Sequence, residues 1–159
     1  MFMKKSTIVG LIVGVVLVIL VLTGIGSYNK MTTGRENVDT KLSDVDVYLQ
    51  RRADLIPNLV STVKGYVQHE EKVISDITTA RENLVSAKSM SEKANANQEL
   101  SNAINALMVV VENYPDLKAN TNFINLQDEL AGTENRISTA RRDYNDAVKS
   151  YNSLIIKFP

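Results

Sequence analysis

The chain has 159 residues, with 18 basic and 18 acidic side chains and a formal net charge of zero. This balance gives no basic surface for nucleic acid, and the lack of cysteine excludes a disulfide framework and a thiolate metal site. Because the chain has only seven glycines and three prolines, and no segment alternates apolar and polar residues between turn signals, the composition predicts an all-α protein.

The first predicted element is an uncharged apolar run over residues 8–25, IVGLIVGVVLVILVLTGI. A bilayer core takes about 20 apolar residues, so the run predicts a transmembrane helix in contact with the lipid bilayer. A cleaved signal peptide that starts at Lys4 and Lys5 is the alternative, but the run is long for one and no A-x-A site follows. We expect residues 1–27 to form a basic N-terminus and anchor, and residues 28–159 to form one helical domain.

The basic residues around this run bear on membrane orientation. Lys4 and Lys5 precede the run, and Lys30, Arg35 and Lys41 follow it. The counts are nearly equal, but the two lysines lie closer to the run and have no acidic neighbours. The positive-inside rule therefore favours, by a small margin, a single-pass protein with an extracytoplasmic domain.

After the anchor, apolar residues recur at alternating spacings of three and four, which is typical of a helix that packs against another helix. This seam consists of Leu42, Val45, Leu49, Arg52, Ile56, Leu59, Val63 and Tyr66. Its register passes through Pro57 unchanged, which favours one helix from about Tyr28 to Tyr66 that bends at the proline, at a cost of about 3 kcal/mol. The alternative is a break near Asp54, which would cap a new helix starting at Leu55.

Two shorter helices are predicted next. The first, from Glu71 to Lys88, has the seam Val73, Ile77, Ala80, Leu84 and Ala87. The small polar stretch SAKSMSEKANAN predicts a turn followed by a frayed helix start. The seam of the second comprises Leu100, Ala103, Leu107, Val110 and Tyr114, widened by Ile104 and Val111. Pro115 is expected to end this helix, and Asp116 or Asn120 to cap the next one.

The last predicted helix, from about Asn120 to Phe158, has the most regular seam. Its members are Phe123, Leu126, Leu130, Thr133, Ile137, Ala140, Tyr144, Ala147, Tyr151, Leu154 and Phe158. The four helices, of which the first and last are the longest, predict an antiparallel up-down-up-down bundle. Because the middle pair is short, only the first and last helices would continue toward the membrane, as a two-helix stalk.

Three stretches, RRADLIPNLV, YPDLKAN and GTENRI, resemble the hallmark sequences of the LemA family of bacterial membrane proteins. The resemblance covers nearly everything after the anchor and is loosest from Ser75 to Leu107. It implies a membrane helix that carries a long antiparallel helical domain in the cell envelope, and no established enzymatic activity. Many relatives have tryptophan in place of Leu42 and continue beyond Phe158–Pro159 into a tail containing glycine and aromatic residues, so a function of that tail is not carried over.

Arg52 is the charged member of the first seam. One interpretation is that it binds an anionic ligand or partner. The other, which we favour, is that it extends its charge to water or pairs with an acid on the last helix, Glu134 or Asp143, and so fixes the helix register.

The remaining candidate residues favour structural roles. Tyr144 and Tyr151 lie seven residues apart and predict a core layer of the stalk whose hydroxyls find partners. His69, Glu70 and Glu71 form the one cluster of metal-ligand types, but adjacent residues on a helix point in different directions and no H-E-x-x-H pattern is present. We therefore expect no catalytic, metal or cofactor site.

The sequence supports two functions of different classes. The first is a membrane-anchored helical scaffold or interaction protein that binds another envelope protein or itself, with Arg52, Pro57, Tyr144 and Tyr151 as candidate structural or partner-contact residues. The second is a sensory bundle that binds a small molecule between its helices and repacks near Pro57. A hydrolase is disfavoured, because the single histidine offers little basis for a nucleophile and its base.

Overall fold

The computed structural model describes residues 5–67 and 69–157, and over these residues it contains helices and no strand. The helices are α1 (Lys5–Lys64), α2 (Glu71–Ser86), α3 (Met90–Val111), α4 (Pro115–Lys118) and α5 (Thr121–Ile156). The all-α prediction is confirmed, and α1 with 60 residues and α5 with 36 residues are the longest elements, as expected. The helix that the sequence did not predict is α4, a single turn.

α1 includes both the apolar run and the first seam without interruption. Gly24 and Gly26 do not break it, since glycine in a helix costs only about 1 kcal/mol relative to alanine. The secondary structure therefore does not mark the boundary expected after residue 27, which stays a prediction. α1 ends at Lys64, before the expected end, because a turn follows in which the Tyr66 N–H donates to the Val63 carbonyl at 2.9 Å.

The chain divides into two compact units. The bundle unit comprises residues 43–141, and the two-helix unit comprises the residues up to 42 together with those from 142 onward. The two-helix unit contains the first part of α1 and the last part of α5.

The bundle unit is antiparallel. Arg52 contacts Glu134, whereas Tyr66, later in the chain, contacts the earlier residue Asn120, so α1 and α5 run in opposite directions. Residues 87–89 alone join α2 to α3, and so short a connection makes consecutive helices antiparallel neighbours.

The predicted seams form the core of the bundle unit. The buried seam residues are Val45, Leu49, Arg52, Ile56, Leu59 and Val63 of α1, Ile77, Ala80 and Leu84 of α2, Leu100, Ile104, Leu107 and Val111 of α3, and Phe123, Leu130, Thr133, Ile137 and Ala140 of α5. Each fully buried large apolar side chain contributes about 1.5–3 kcal/mol. The predicted seams are not buried throughout: Val73 and Ala87 of α2, Ala103 and Val110 of α3, Tyr114 and Leu126 are half-buried, and Tyr66, beyond the end of α1, is exposed. In α3, Ile104 and Val111 occupy the buried stripe.

A capping box starts α3, where a frayed start was expected. Ser89 Oγ accepts a hydrogen bond from the Glu92 N–H at 3.2 Å. The Glu92 carboxylate in turn accepts from the N–H groups of Ser89, at 2.9 Å, and of Lys88, at 2.8 Å. The expectation was wrong because the polar residues that resemble a loop satisfy the unpaired amides of the first turn. The preceding helix ends at Ser86, two residues before the predicted Lys88.

The connection between α3 and α5 uses a proline and an asparagine. Pro115 occupies the first turn of α4, where its missing N–H leaves no helical hydrogen bond unmade. Asn120 Oδ1 accepts from the Phe123 N–H at 3.0 Å and so caps α5, one of the two caps that the sequence predicted. The other candidate, Asp116, lies in the first turn of α4.

α1 continues through Pro57, so the alternative break near Asp54 is wrong. The bend expected at the proline stays a prediction.

Pro57 has no N–H to donate to the carbonyl of Ala53, a residue that is only 1% exposed. The side chain of Arg81, on α2, donates its Nε–H to this carbonyl at 2.9 Å. The proline therefore leaves an acceptor on α1 that a second helix uses.

Replacing this proline tests the continuity of α1. We expect Pro57→Ala to raise the free energy of unfolding by about 2 kcal/mol, since a helix-interior proline costs about 3 kcal/mol and its stiffening of the unfolded chain returns up to about 1 kcal/mol. Urea unfolding of the full chain in detergent, followed by circular dichroism, measures the change. Asn58→Ala, at the exposed neighbouring position, is the control and should change stability by less than about 1 kcal/mol. A loss of stability in Pro57→Ala would contradict the continuous helix.

The capping box predicts a pH dependence. Hydrogen bonds from the backbone of Ser89, and then of Lys88, lower the pKa of Glu92 from its ordinary value of 4.5. A lowered folded pKa means that the stabilisation is complete above the unfolded pKa and is lost as the pH falls through the folded one. Glu92→Gln should flatten the pH dependence of stability below about pH 4.5. Glu82→Gln, on exposed α2 surface, is the control, and equal acid profiles for wild type and Glu92→Gln would contradict the assignment.

Candidate functional site

Arg52 lies in the buried seam of α1 and is 4% exposed. Its Nη1 donates to Asn97 Oδ1 at 2.5 Å and to Ser101 Oγ at 3.0 Å, both on α3. The same nitrogen lies 2.5 Å from the Glu134 carboxylate on α5. These four residues, which we call the Arg52 cluster, connect three helices of the bundle unit.

Asn97 closes the network, because its side chain both accepts and donates. Its Oδ1 accepts from Arg52, while its Nδ2 lies 3.3 Å and 3.2 Å from the two carboxylate oxygens of Glu134. Of the two partners that the sequence proposed for Arg52, the structure brings Glu134 into contact. The other, Asp143, has its carboxylate 3.9 Å from Nε of its neighbour Arg142.

The guanidinium is in an environment that disfavours charge. Burial, the largest influence, lowers the pKa of Arg52 from its ordinary value, and the carboxylate of Glu134 opposes this shift. Arginine nevertheless stays protonated in proteins, so the cluster holds a permanent buried charge. Within the described residues, Arg52 Nε has no hydrogen-bond partner, and an unsatisfied buried group costs about 1–3 kcal/mol. The acceptors around Nη1 are therefore essential to the placement of this charge.

An open groove of about 500 Å³ lies beside the cluster in the bundle unit. Arg52, Ser101 and Glu134 line it together with the apolar side chains of Ile104, Met108 and Leu130 and the amides of Gln98, Asn105 and Gln127. A volume of this size is within the range of small-molecule sites, which combine apolar walls with a few polar groups. The groove therefore offers a physical basis for the ligand-binding alternative.

The other predicted residues lie in different surroundings. Pro57 is exposed on α1, while Tyr144 and Tyr151 are half-buried in the two-helix unit. α1 and α5 approach closely in that unit, because a Cβ on Gly34 would lie 3.1 Å from Tyr151 Cδ2 and 3.2 Å from Leu154 Cδ1. Because Gly34 has no side chain, the ring of Tyr151 packs directly against the backbone of α1. The roles of these residues in partner contact stay predictions.

The acidic and histidine residues after α1 do not converge. His69 and Glu71 are exposed, and Glu70 is half-buried. Over residues 5–67 and 69–157, no group of three or more His, Asp or Glu side chains is positioned to hold a metal ion.

The sequence did not single out Asn97 and Ser101 of the Arg52 cluster, or Arg81, the donor to the Ala53 carbonyl. Asn97 was assigned to a polar turn, although extending the α3 stripe of Leu100 and Ile104 backward by one helical step reaches it. The signal for Arg81 is Pro57, since a proline inside a helix predicts a free carbonyl four residues earlier that needs a donor.

One family model and several known proteins are similar to most of this chain. The model of the LemA family matches residues 41–159, which confirms the resemblance seen in the sequence. Magnetosome protein MamQ 2 of Paramagnetospirillum magneticum is 28% identical over 83% of this chain, and MamQ of Magnetospirillum gryphiswaldense is 25% identical over 90%. Protein LemA of Metamycoplasma hominis is 24% identical over 84% of this chain. The matched region spans 58% of the length of the first relative and 62% of each of the other two.

The Arg52 cluster predicts unequal losses of stability for its two charged members. Glu134→Ala leaves the buried guanidinium without a counter-charge and should cost about 3 kcal/mol. Arg52→Met keeps apolar volume and leaves a glutamate whose side chain is 40% exposed and can be hydrated, so it should cost about 1 kcal/mol. Urea unfolding in detergent measures both losses.

The exposed Glu129→Ala on the same helix is the matched control and should change stability by less than about 0.5 kcal/mol. If Arg52→Met were the more damaging substitution, or if Glu134→Ala behaved like the control, the assigned electrostatics of the cluster would be wrong.

Proposed function

The chain belongs to the LemA family, and on that premise we propose that it is a membrane-anchored helical scaffold, an interaction protein of the bacterial cell envelope without catalytic activity. The observation that carries this proposal is the uncovered apolar surface at the start of α1. α1 is long and apolar enough to cross a membrane, and no side chain of its apolar window is buried inside the protein.

The exposure of this run supports its contact with lipid. Between Val9 and Ile25 the large apolar side chains are each 48% to 62% exposed. Apolar surface exposed to water costs about 25 cal/mol per Å², whereas a bilayer covers it and a helix satisfies its own backbone there. The run is long enough to span the hydrocarbon core once, so residues 1–27 would serve as the anchor.

The use of buried polar groups supports a structural role for the bundle. Arg52 and Asn97 contact one another and Glu134 across helices, and the third buried polar residue, Thr133, donates its hydroxyl to the Glu129 carbonyl at 2.7 Å. Arg52 and Asn97 are therefore engaged in holding helices together, whereas Thr133 satisfies its hydroxyl within α5. The outer faces of the helices are left for partner contact, either with another envelope protein or with a second copy of the chain.

The domain is proposed to lie on the extracytoplasmic side, because Lys4 and Lys5 precede the apolar run without acidic neighbours. Labelling of Asn102→Cys, an exposed position on α3, by a membrane-impermeant maleimide in intact cells tests this placement. Labelling that requires cell lysis would place the domain in the cytoplasm.

A ligand-binding bundle is the second candidate, favoured by the groove beside the Arg52 cluster. A zwitterionic or amide-bearing molecule could meet the charges and the amides while its apolar part contacts Ile104, Met108 and Leu130. Thermal shifts with a panel of free amino acids and dipeptides test this function. A shift that is lost in Gln127→Ala would support it, and an unchanged melting temperature across the panel would count against it.

Site-specific photocrosslinking in native membranes tests the scaffold function. Val109 on α3 is 72% exposed, the most exposed large apolar residue described in the bundle unit. With a benzophenone amino acid at this position we expect a discrete crosslinked species, either a self-adduct or one recurrent protein, because an uncovered apolar side chain favours contact with a partner. Lys72, exposed and charged on α2, is the control position. Equal, diffuse labelling from both positions would contradict a specific interaction through this face.

A further inference from the structure

The last turn of α5 carries apolar side chains that the described residues of its unit leave exposed to a large extent. Leu154 is 38% exposed, Ile155 45% and Ile156 82%. Successive residues of a helix point about 100° apart, so three in a row present apolar surface around more than half of the helix. One packed neighbour such as α1 cannot cover this width.

The level of this turn along α1 follows from the contact at Gly34. Tyr151 and Leu154 approach Gly34, and this position lies nine residues beyond Ile25, or roughly 14 Å at 1.5 Å per residue. α5 runs opposite to α1, so Ile156 lies roughly 5 Å nearer to the apolar run than that contact does. The headgroup layer on each side of a bilayer is roughly 5–8 Å thick, which brings Ile156 to its outer edge if Ile25 marks the hydrocarbon boundary.

The charges at this level suit an anionic surface. Residues 26–34 of α1 contain one basic side chain, Lys30, and no acid, and residues 152–157 contain Lys157 and no acid. Acidic residues first occur further from the apolar run, at Glu36 on α1 and Asp146 on α5. Basic residues beside a membrane surface are attracted to anionic lipid headgroups.

We propose that residues 154–157 form a second membrane contact, in which Ile156 meets the outer edge of the headgroup layer and Lys30 and Lys157 bind anionic headgroups. This inference rests on the proposed membrane anchor. The lipid surface is favoured over a second copy of the chain as the occupant, because the apolar turn lies at the level of the anchoring end of α1 and because both neighbouring charges are basic. The bilayer would then hold both helices of the two-helix unit and fix their spacing there.

The full chain in vesicles of phosphatidylcholine and phosphatidylglycerol (3:1) allows a direct test. The chain contains no cysteine, so an introduced cysteine carries a fluorophore at one known position. The test position is Ile156→Cys, and the matched control is Asn145→Cys, exposed on the same helix and roughly 16 Å further from the membrane end. Leu17→Cys reports on the anchor itself.

We expect headgroup-nitroxide lipid to quench the label at position 156 at least about twofold more than the label at position 145, since the quencher acts within the headgroup layer. Pure phosphatidylcholine should reduce quenching at 156 and leave acyl-chain quenching at 17 unchanged, because only the contact of residues 154–157 involves anionic lipid.

Equal quenching at 156 and 145, with Leu17 quenched by acyl-chain nitroxide, would overturn this inference and leave the anchor intact. If Leu17 were not quenched, the membrane anchor of the proposed function would fail as well. Shielding of position 156 that rises with protein-to-lipid ratio without nitroxide quenching would assign the turn to a second copy and overturn the lipid contact.

Discussion

A positive charge buried among apolar side chains constrains the arrangement of the bundle unit. Arg52 interrupts the apolar seam of α1, and a guanidinium at this depth is tolerated only where other helices supply acceptors. Asn97 and Ser101 of α3 and Glu134 of α5 supply them at a single nitrogen. Apolar residues in place of a whole buried ion pair often give equal or greater stability, so we interpret the cluster as a determinant of helix register. A shift of α5 by one turn, about 5.4 Å, would leave the charge unpaired, and the same shift of α3 would remove its two neutral acceptors.

The same logic applies to the backbone at Pro57. A proline inside α1 removes one hydrogen bond, and the freed carbonyl of Ala53 becomes an acceptor for Arg81 of α2. Arg52 therefore connects α1 to α3 and α5. The carbonyl that Pro57 leaves free connects α1 to α2 through Arg81. The buried arginine and the internal proline both depart from an ideal apolar helix. Together they give α1 a specific polar contact with each of α2, α3 and α5. The sequence stretches that identify the family, RRADLIPNLV and GTENRI, contain Arg52, Pro57 and Glu134.

Helix identity and the main seams were predictable because heptad spacing is a local property of the sequence. Val45 to Val63 and Phe123 to Ala147 follow the expected faces. Glu134 was predictable as a partner because it is an acid on the expected opposing helix. Asn97 and Arg81 were not predicted, because the α3 stripe and Pro57 indicate only where a partner is needed, whereas tertiary packing decides which polar residue supplies it. The start of α3 was misjudged for a related reason: Ser89 and Glu92 resemble loop residues until their mutual hydrogen bonds are seen.

The coupling between Arg52 and Glu134 is the most direct measure of whether buried charge pairing organises the bundle. A double-mutant cycle with Arg52→Met and Glu134→Leu isolates it, and the exposed pair Lys72 and Asp76 on α2, replaced by methionine and leucine, provides the matched control. We expect a coupling of at least about 1.5 kcal/mol for the buried pair, against about 0.3–0.5 kcal/mol for the exposed one. Equal couplings for the two pairs would show that the guanidinium is placed by packing alone.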